Sequence, residues 1–194
     1  MPRAILTLLR LVAAASVLVS PVAAHAQENL TLVVAMDGGT SQSRTCPDEA
    51  LMTGIMLRVG LNIDAIGIRC RPINANGTLG REFADGSMMG GSGGTVTVSS
   101  CPAGAVIVGQ GIKKSIMSPS QFTVLGFHCQ SWSKSTRTTV GARMFVRAWK
   151  MWTLNPYVGD IPDDYCSSPG RPVRRVRTMA GIYVNAIGFT CLTP

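Results

Sequence analysis

The chain has 194 residues, 21 of them glycine, with 46% hydrophobic residues, only 14% charged residues and a formal net charge of +8. That much apolar side chain with that little charge excludes a disordered polymer. It also excludes a helical bundle, whose solvent faces need many Lys and Glu, and leaves a glycine-rich β-structure of single-domain size.

In chain order, Met1 to Ala26 reads as a secretory signal peptide. Arg3 and Arg10 give a positive start, Leu11 to Val19 an apolar run, and Ala24-His25-Ala26 the small residues of a cleavage site. The run is shorter than the roughly 20 residues of a membrane span, and no cysteine stands at the cleavage point to carry a lipid. Residues 27–194 are therefore expected as one exported β domain, secreted or periplasmic, with no membrane span. Loss of Arg3 and Arg10 lowers its net charge to +6.

All six cysteines (Cys46, Cys70, Cys101, Cys129, Cys166 and Cys191) follow the signal. An even count in an oxidising compartment predicts three disulfides. There is no Cys-x-x-Cys, and His128 is the one histidine outside the signal. Zinc sites need clustered thiolates and imidazoles, so no metal or cofactor is expected.

The chain repeats itself three times. Gly38-Gly39-Thr40 precedes Cys46-Pro47, Gly93-Gly94-Thr95 precedes Cys101-Pro102 at the same offset, and Gly159 stands equally far before Cys166. Each copy closes alike, with Asp64-Ala-Ile-Gly67-Ile-Arg-Cys70, Thr123-Val-Leu-Gly126-Phe-His-Cys129 and Asn185-Ala-Ile-Gly188-Phe-Thr-Cys191. Cysteines within the copies are 24, 28 and 25 residues apart. Repetition favours the pairs Cys46–Cys70, Cys101–Cys129 and Cys166–Cys191. The units run over about 30–73, 80–132 and 143–194, each too short to bury a core alone.

Strands are predicted before each glycine pair, at Leu32 to Met36, Glu82 to Met88 and Met144 to Trp149. A hairpin follows in each unit. In unit one Leu51, Ile55, Leu57 and Val59 share one parity, and after a turn at Leu61 to Asp64 so do Ile66, Ile68 and Cys70; Val106, Val108 and Ile112 repeat the pattern in unit two. Gly67, Gly126 and Gly188 fall within strands, where glycine marks a bulge or a close backbone approach. Three small antiparallel sheets around a shared core follow.

Gly-Gly leading to Cys-Pro, and the closing Asp-Ala-Ile-Gly-x-x-Cys, resemble the vitelline membrane outer layer proteins, which share a threefold β-prism with the jacalin-related lectins. The third copy departs, with Cys166-Ser167 and Val158-Gly159 in place of Cys-Pro and Gly-Gly. The resemblance implies an all-β, disulfide-stapled β-prism that binds carbohydrate without chemistry. It also implies a sugar site made of a glycine-rich loop and a Gly-x-x-x-Asp loop. Gly60 to Asp64 matches that spelling, with Gly38 and Gly39 as its expected loop; in the last unit, where the family has its binding Asp, this chain has Gly181 to Asn185, with Tyr183 as a platform for a sugar face. The competing reading is structural, because Asp64, Thr123 and Asn185 occupy matching turn positions and such residues bond their own backbone.

Arg171, Arg174, Arg175 and Arg177 form the densest charge, with Val176 aligned on inward Ile55 so that Arg175 and Arg177 face out, and Arg143, Arg147 and Lys150 as possible additions to that surface. Such a patch suits an anionic polysaccharide, lipopolysaccharide or nucleic acid by field alone, or serves as a solvated strand face. No motif for specific nucleic-acid reading occurs. Trp132, Trp149 and Trp152 read as core or as plugs at the prism ends, the methionines as gap fillers. Asn29-Leu30-Thr31 and Asn76-Gly77-Thr78 are glycosylation sequons relevant only in a eukaryotic host. Catalysis has little support: His128 aligns with Arg69 and Thr190, as a variable surface position would, and nucleophile-elbow and phosphate-loop motifs are absent. Asp37, Asp85, Asp160, Asp163 and Asp164 are scattered. The reading is an exported glycan-binding protein and not an enzyme; the alternative is a structural coat protein acting through protein contacts. Ligand identity, oligomeric state and the number of working sites stay open.

Overall fold

The computed structural model describes residues 27–114, 122–150, 163–167 and 170–192. The expected signal peptide, Trp152, Val158, Gly159 and Asp160 lie outside these. The described residues form strands and no helix: β1 (Gln27–Asn29), β2 (Val33–Val34), β3 (Thr40–Thr45), β4 (Ala50–Val59), β5 (Ile63–Pro72), β6 (Phe83–Gly90), β7 (Thr95–Ser100), β8 (Ala105–Lys114), β9 (Phe122–Ser133), β10 (Thr138–Lys150), β11 (Asp164–Tyr165), β12 (Val173–Ala180) and β13 (Val184–Leu192). Of the predicted leading strands, the first shrinks to β2 and the third grows to β10.

Three antiparallel sheets result, ordered β6-β5-β4-β7, β10-β9-β8-β11 and β1-β13-β12-β3, with β2 also on β13. This is the expected β-prism, with one hairpin per repeat at the centre of each sheet. The strand leading to the first cysteine of each unit does not pair with its own hairpin. β7 joins β4, β11 joins β8 and β3 joins β12, so each unit completes the sheet of the preceding one and the third closes on the first. The three disulfides are those expected from the repeats, Cys46–Cys70, Cys101–Cys129 and Cys166–Cys191. Because of the strand exchange, each bond lies within one repeat yet ties two different sheets together.

A bulge recurs where the exchanged strand ends. Register shifts fall between Met52 and Gly54, Ile107 and Gly109, and Val173 and Arg175. The bulged residue's carbonyl accepts the cysteine N–H of the incoming strand: Cys101 N–H to Thr53 O at 2.7 Å, Cys166 to Val108 at 3.0 Å and Cys46 to Arg174 at 2.8 Å. The extra residue also reverses side-chain alternation. Met52, Ile55, Leu57, Ile107 and Ile112 therefore share the central core with Ile66, Phe127, Leu125 and Phe189. Leu51, Val106 and Val108, expected in the same row as Ile55 and Ile112, instead form a second cluster with Ile73. Trp132 plugs that cluster and donates its ring N–H to Gly77 O at 3.0 Å.

The strand glycines mark close approaches, as expected. Phe145 lies over Gly126 and Gly111, Leu32 over Gly188, and Met56 and Met88 over Gly67.

Below the first bulge, Glu82 gathers three donors. Thr53 Oγ1 donates to Oε1 at 2.7 Å, and Arg69 Nε and Ser100 Oγ donate to Oε2 at 2.7 and 3.0 Å. Burial alone pushes the Glu82 carboxyl up, but the hydrogen bonds from Thr53, Arg69 and Ser100, with the Arg69 charge, outweigh it and hold the group below the usual carboxylate range. A depressed folded pKa contributes stability that is present above the unfolded value and lost as pH falls through the folded one. Glu82→Gln should therefore cost about 1–3 kcal/mol at pH 7. The difference from the parent should shrink below about pH 4, where the unfolded carboxyl takes up its proton; urea unfolding at pH 7 and pH 3 measures both.

Candidate functional site

The β4–β5 and β12–β13 hairpins end in the same turn. Gly60 N–H donates to Asn62 O at 3.0 Å and Gly181 N–H to Tyr183 O at 2.9 Å. Each turn lifts an apolar side chain into solvent, Leu61 at 91% and Ile182 at 77% exposure. Four residues after each glycine, at the second position of the next strand, stands Asp64 or Asn185.

The strand exchange brings a glycine loop from a different unit onto each turn. Gly93 and Gly94, and not Gly38 and Gly39 as expected, face Asp64. A Cβ on Gly94 would sit 2.5 Å from Asp64 Oδ2, one on Gly93 would sit 3.3 Å from Oδ1, and one on Gly60 would sit 3.4 Å from Oδ2. Gly38 and Gly39 instead meet the unit-three turn, where a Cβ on Gly39 would be 2.9 Å from Ala180 N. The two junctions abut, because a side chain on Gly91 would run into the Ile182 carbonyl.

The two polar residues use this shared geometry differently. Asn185 Nδ2 donates to Gly38 O at 3.0 Å and Asp37 O at 3.3 Å, clamping the glycine loop. Its backbone carbonyl accepts Ala35 and Met36 N–H. Asp64 is 6% exposed, yet among the described residues its carboxylate accepts no hydrogen bond. Three glycines bring bare backbone close to it, where a side chain would not fit. In unit two the matching residue is Thr123, fully buried, whose Oγ1 has no hydrogen-bond partner among the described residues; the glycine loop of unit three, at Gly159, lies outside them. Tyr183 is exposed at the second junction.

The basic segment divides. Arg174 is the bulged residue, so it turns inward and is 6% exposed. Its guanidinium donates to Pro47 O at 2.7 Å, Ala50 O at 3.1 Å and Cys46 O at 3.3 Å. It clamps the strand crossover of unit one, with the Asp48 carboxylate 3.4 Å from its Nη2. Arg175 and Arg177 lie on the opposite face, half-buried, as their parity with buried Val176 requires. Arg171 lines a cleft with Arg143 and Ser167, away from that pair. Arg143, Arg147 and Lys150 belong to β10, in another sheet, and do not extend the β12 face.

His128 is a second correction. β10 and β11 cover it with Phe145 and Tyr165, their ring centroids 5.0 and 4.7 Å from its own, so it is 6% exposed. Its Nε2 lies 2.9 Å from Asp163 Oδ2, but without hydrogen-bond alignment. Burial pushes its pKa down, against the pull of Asp163. Repeat alignment could not show this cover, because Phe145, Asp163 and Tyr165 have no counterparts in the closing motif. Among the described residues no three His, Cys, Asp or Glu side chains cluster as a metal site would need.

No protein-family model and no curated protein matches the chain. Solved structures do. A prostate-specific WGA16 glycoprotein lectin is 15% identical with a TM-score of 0.51, covering 81% of this chain and 94% of that one. A mannose-binding jacalin-related lectin from Ananas comosus is 17% identical with a TM-score of 0.47, covering 88% and 99%. A Malaysian banana lectin is 14% identical with a TM-score of 0.48, covering 88% and 99%. At 15% identity the likeness to the first of these supports the fold alone, the β-prism that the three sheets form.

The glycines of the two junctions differ in what they tolerate. Gly38 and Gly94 both have positive φ, +88° and +67°, but nothing lies within 4 Å of a Cβ on Gly38. Gly38→Ala should cost only the backbone strain, about 1–2 kcal/mol. Gly94→Ala also drives a methyl into Val59 and Asp64 and should lower the melting temperature clearly further; paired thermal unfolding measures the order.

Proposed function

We propose that this chain is an exported, non-enzymatic carbohydrate-binding protein whose principal site is the junction between Gly60–Asp64 and Gly93–Gly94. The observation that carries the reading is the Asp64 carboxylate, set low in the surface with no donor among the described residues and its oxygens still open to solvent, against a backbone bare of side chains. Two adjacent sugar hydroxyls supply the missing donors, and charge-assisted bonds of this kind are about twice as strong as neutral ones. The glycines let the sugar approach the backbone closely, and Leu61 offers an apolar edge beside it. The lectin fold supports the same reading. The Gly38–Gly39 and Gly181–Asn185 junction is a weaker second site, because the Asn185 amide already serves the loop. Three disulfides suit the oxidising compartment that export implies.

A structural coat role, with the prism as a brick, finds support in Val96, Val98, Met144 and Phe145, all 42–52% exposed on the edge strands β7 and β10. A glycan array followed by calorimetry, beginning with methyl mannoside, separates the two readings. Saturable sugar binding is expected. Asp64→Asn should weaken it about 10- to 100-fold, the value of one or two hydrogen bonds to a charged group, and Asn185→Ala should weaken it less. Absence of binding across the array, together with concentration-dependent assembly in sedimentation, would establish the coat.

A further inference from the structure

On the outer face of β12, Arg175 and Arg177 are held side by side by neutral partners. Arg175 Nε donates to Thr45 Oγ1 at 2.8 Å and its Nη1 reaches Gln27 Oε1 at 3.5 Å; Arg177 Nη2 donates to Leu30 O at 2.7 Å. Among the described residues neither guanidinium has a carboxylate partner, Arg175 Nη2 and Arg177 Nη1 have no acceptor, and the covered Arg177 Nε has none either. Burial, and the neighbouring charge of Arg175, disfavour the Arg177 cation. The fold thus fixes two positive forks beside each other without an acid to balance them.

They border a cleft of about 180 Å³ between β12 and β3, whose other walls include Ser41, Gln42, Ser43 and Met179. We infer that this cleft binds the oxyanion groups of an acidic polysaccharide. A sulfate ester or uronate between Arg175 Nη2 and Arg177 Nη1 meets planar, preorganised donors suited to such groups, and the serine hydroxyls beside them suit sugar hydroxyls. No aromatic side chain lines the cleft, so it offers no stacking platform for the bases of a single-stranded nucleic acid. Register carries the cleft toward the second junction, since Arg177 faces Ser43, Met179 faces Ser41 and Ala180 faces Thr40. From Arg177 to Gly181 is roughly 13 Å of strand, the span of a short oligosaccharide. At its end stands the neutral amide of Asn185, where a carboxylate would repel such a chain; Asp37, whose backbone carbonyl accepts from that amide at 3.3 Å, is exposed to solvent.

This inference uses residues remote in sequence from Asp64 and stands or falls apart from the neutral-sugar reading. The test compares immobilised dextran sulfate, polygalacturonate, uncharged dextran and a single-stranded oligothymidylate as ligands for the disulfide-bonded protein. At least one acidic polysaccharide should bind saturably and more weakly as salt rises, the tighter of the two identifying the group, while dextran does not bind. The pair R175Q/R177Q should lose about tenfold in affinity or more. R81Q/R137Q, which removes equal charge at exposed positions, should lose less than twofold, and so should Asp64→Asn. If the glutamine pair does not fold, R175K/R177K decides, since it keeps the charge, loses the fork and should still lose several-fold. Binding of neither acidic polymer, equal loss in R81Q/R137Q, no loss in the β12 variants, or oligothymidylate bound as tightly as the polysaccharides would each overturn the inference. Methyl mannoside binding that survives R175Q/R177Q but not Asp64→Asn keeps the two sites distinct.

Discussion

Everything in this molecule depends on the seam where one repeat hands a strand to the preceding one. At each seam a cysteine N–H finds the carbonyl of a bulged residue, at 2.7 to 3.0 Å, and the same cysteine then bonds to a strand of the next sheet. Hydrogen bond and disulfide act at one residue, so the incoming strand is fixed in register and the two sheets are fixed in orientation. A repeat too short to enclose a core thereby shares one with its neighbours. The glycine loops are a by-product of this handover. A loop that must cross from its own unit to the next sheet lands on the neighbour's hairpin turn, and Asp64 lies at that crossing.

Threefold backbone repetition leaves side chains free to diverge at equivalent places. The bulge carries Thr53, Val108 and Arg174. The first hands a hydroxyl to Glu82, the second packs in an apolar cluster, and the third sends a guanidinium into the carbonyls of Cys46, Pro47 and Ala50. All three keep the same carbonyl bond to the seam, so the backbone role is constant while the side chain adapts to its surroundings. The turn position diverges in the same way, as Asp64, Thr123 and Asn185.

This division explains what could be read from the sequence. Cysteine pairing, three sheets and the prism follow from repetition, because any contact made by one unit is made again by the others. Gly126 and Gly188 could likewise be recognised as close approaches, since an adjoining strand must cross a glycine in each copy. Two features were hidden. The bulges reverse alternation within a strand, so parity counted from Ile55 puts Leu51 in the wrong cluster; a bulge has no fixed residue signature. The partner of each glycine loop was also hidden, because motif spelling pairs Gly38–Gly39 with the nearest Gly-x-x-x-Asp, whereas strand exchange pairs it with the most distant turn in the chain. His128 was misplaced for a related reason: its cover comes from strands outside the repeated motif.

The contrast between Asp64 and Asn185 bears most directly on function. If the position only secured a turn, a residue able to donate to the loop carbonyls would serve best, and Asn185 does so twice. A carboxylate cannot donate, and burying one without a partner is unfavourable unless something supplies hydrogen bonds. Asp64 is as little exposed as a core residue and among the described residues accepts no such bond, its carboxylate oxygens being left open to water between glycines that bring no side chain to them. A position that is poor for stability but well shaped for a ligand rich in hydroxyl donors favours recognition over architecture at the first junction. The same reasoning assigns the opposite balance to the second, where the amide is engaged and the open chemistry lies along the strand at Arg175 and Arg177.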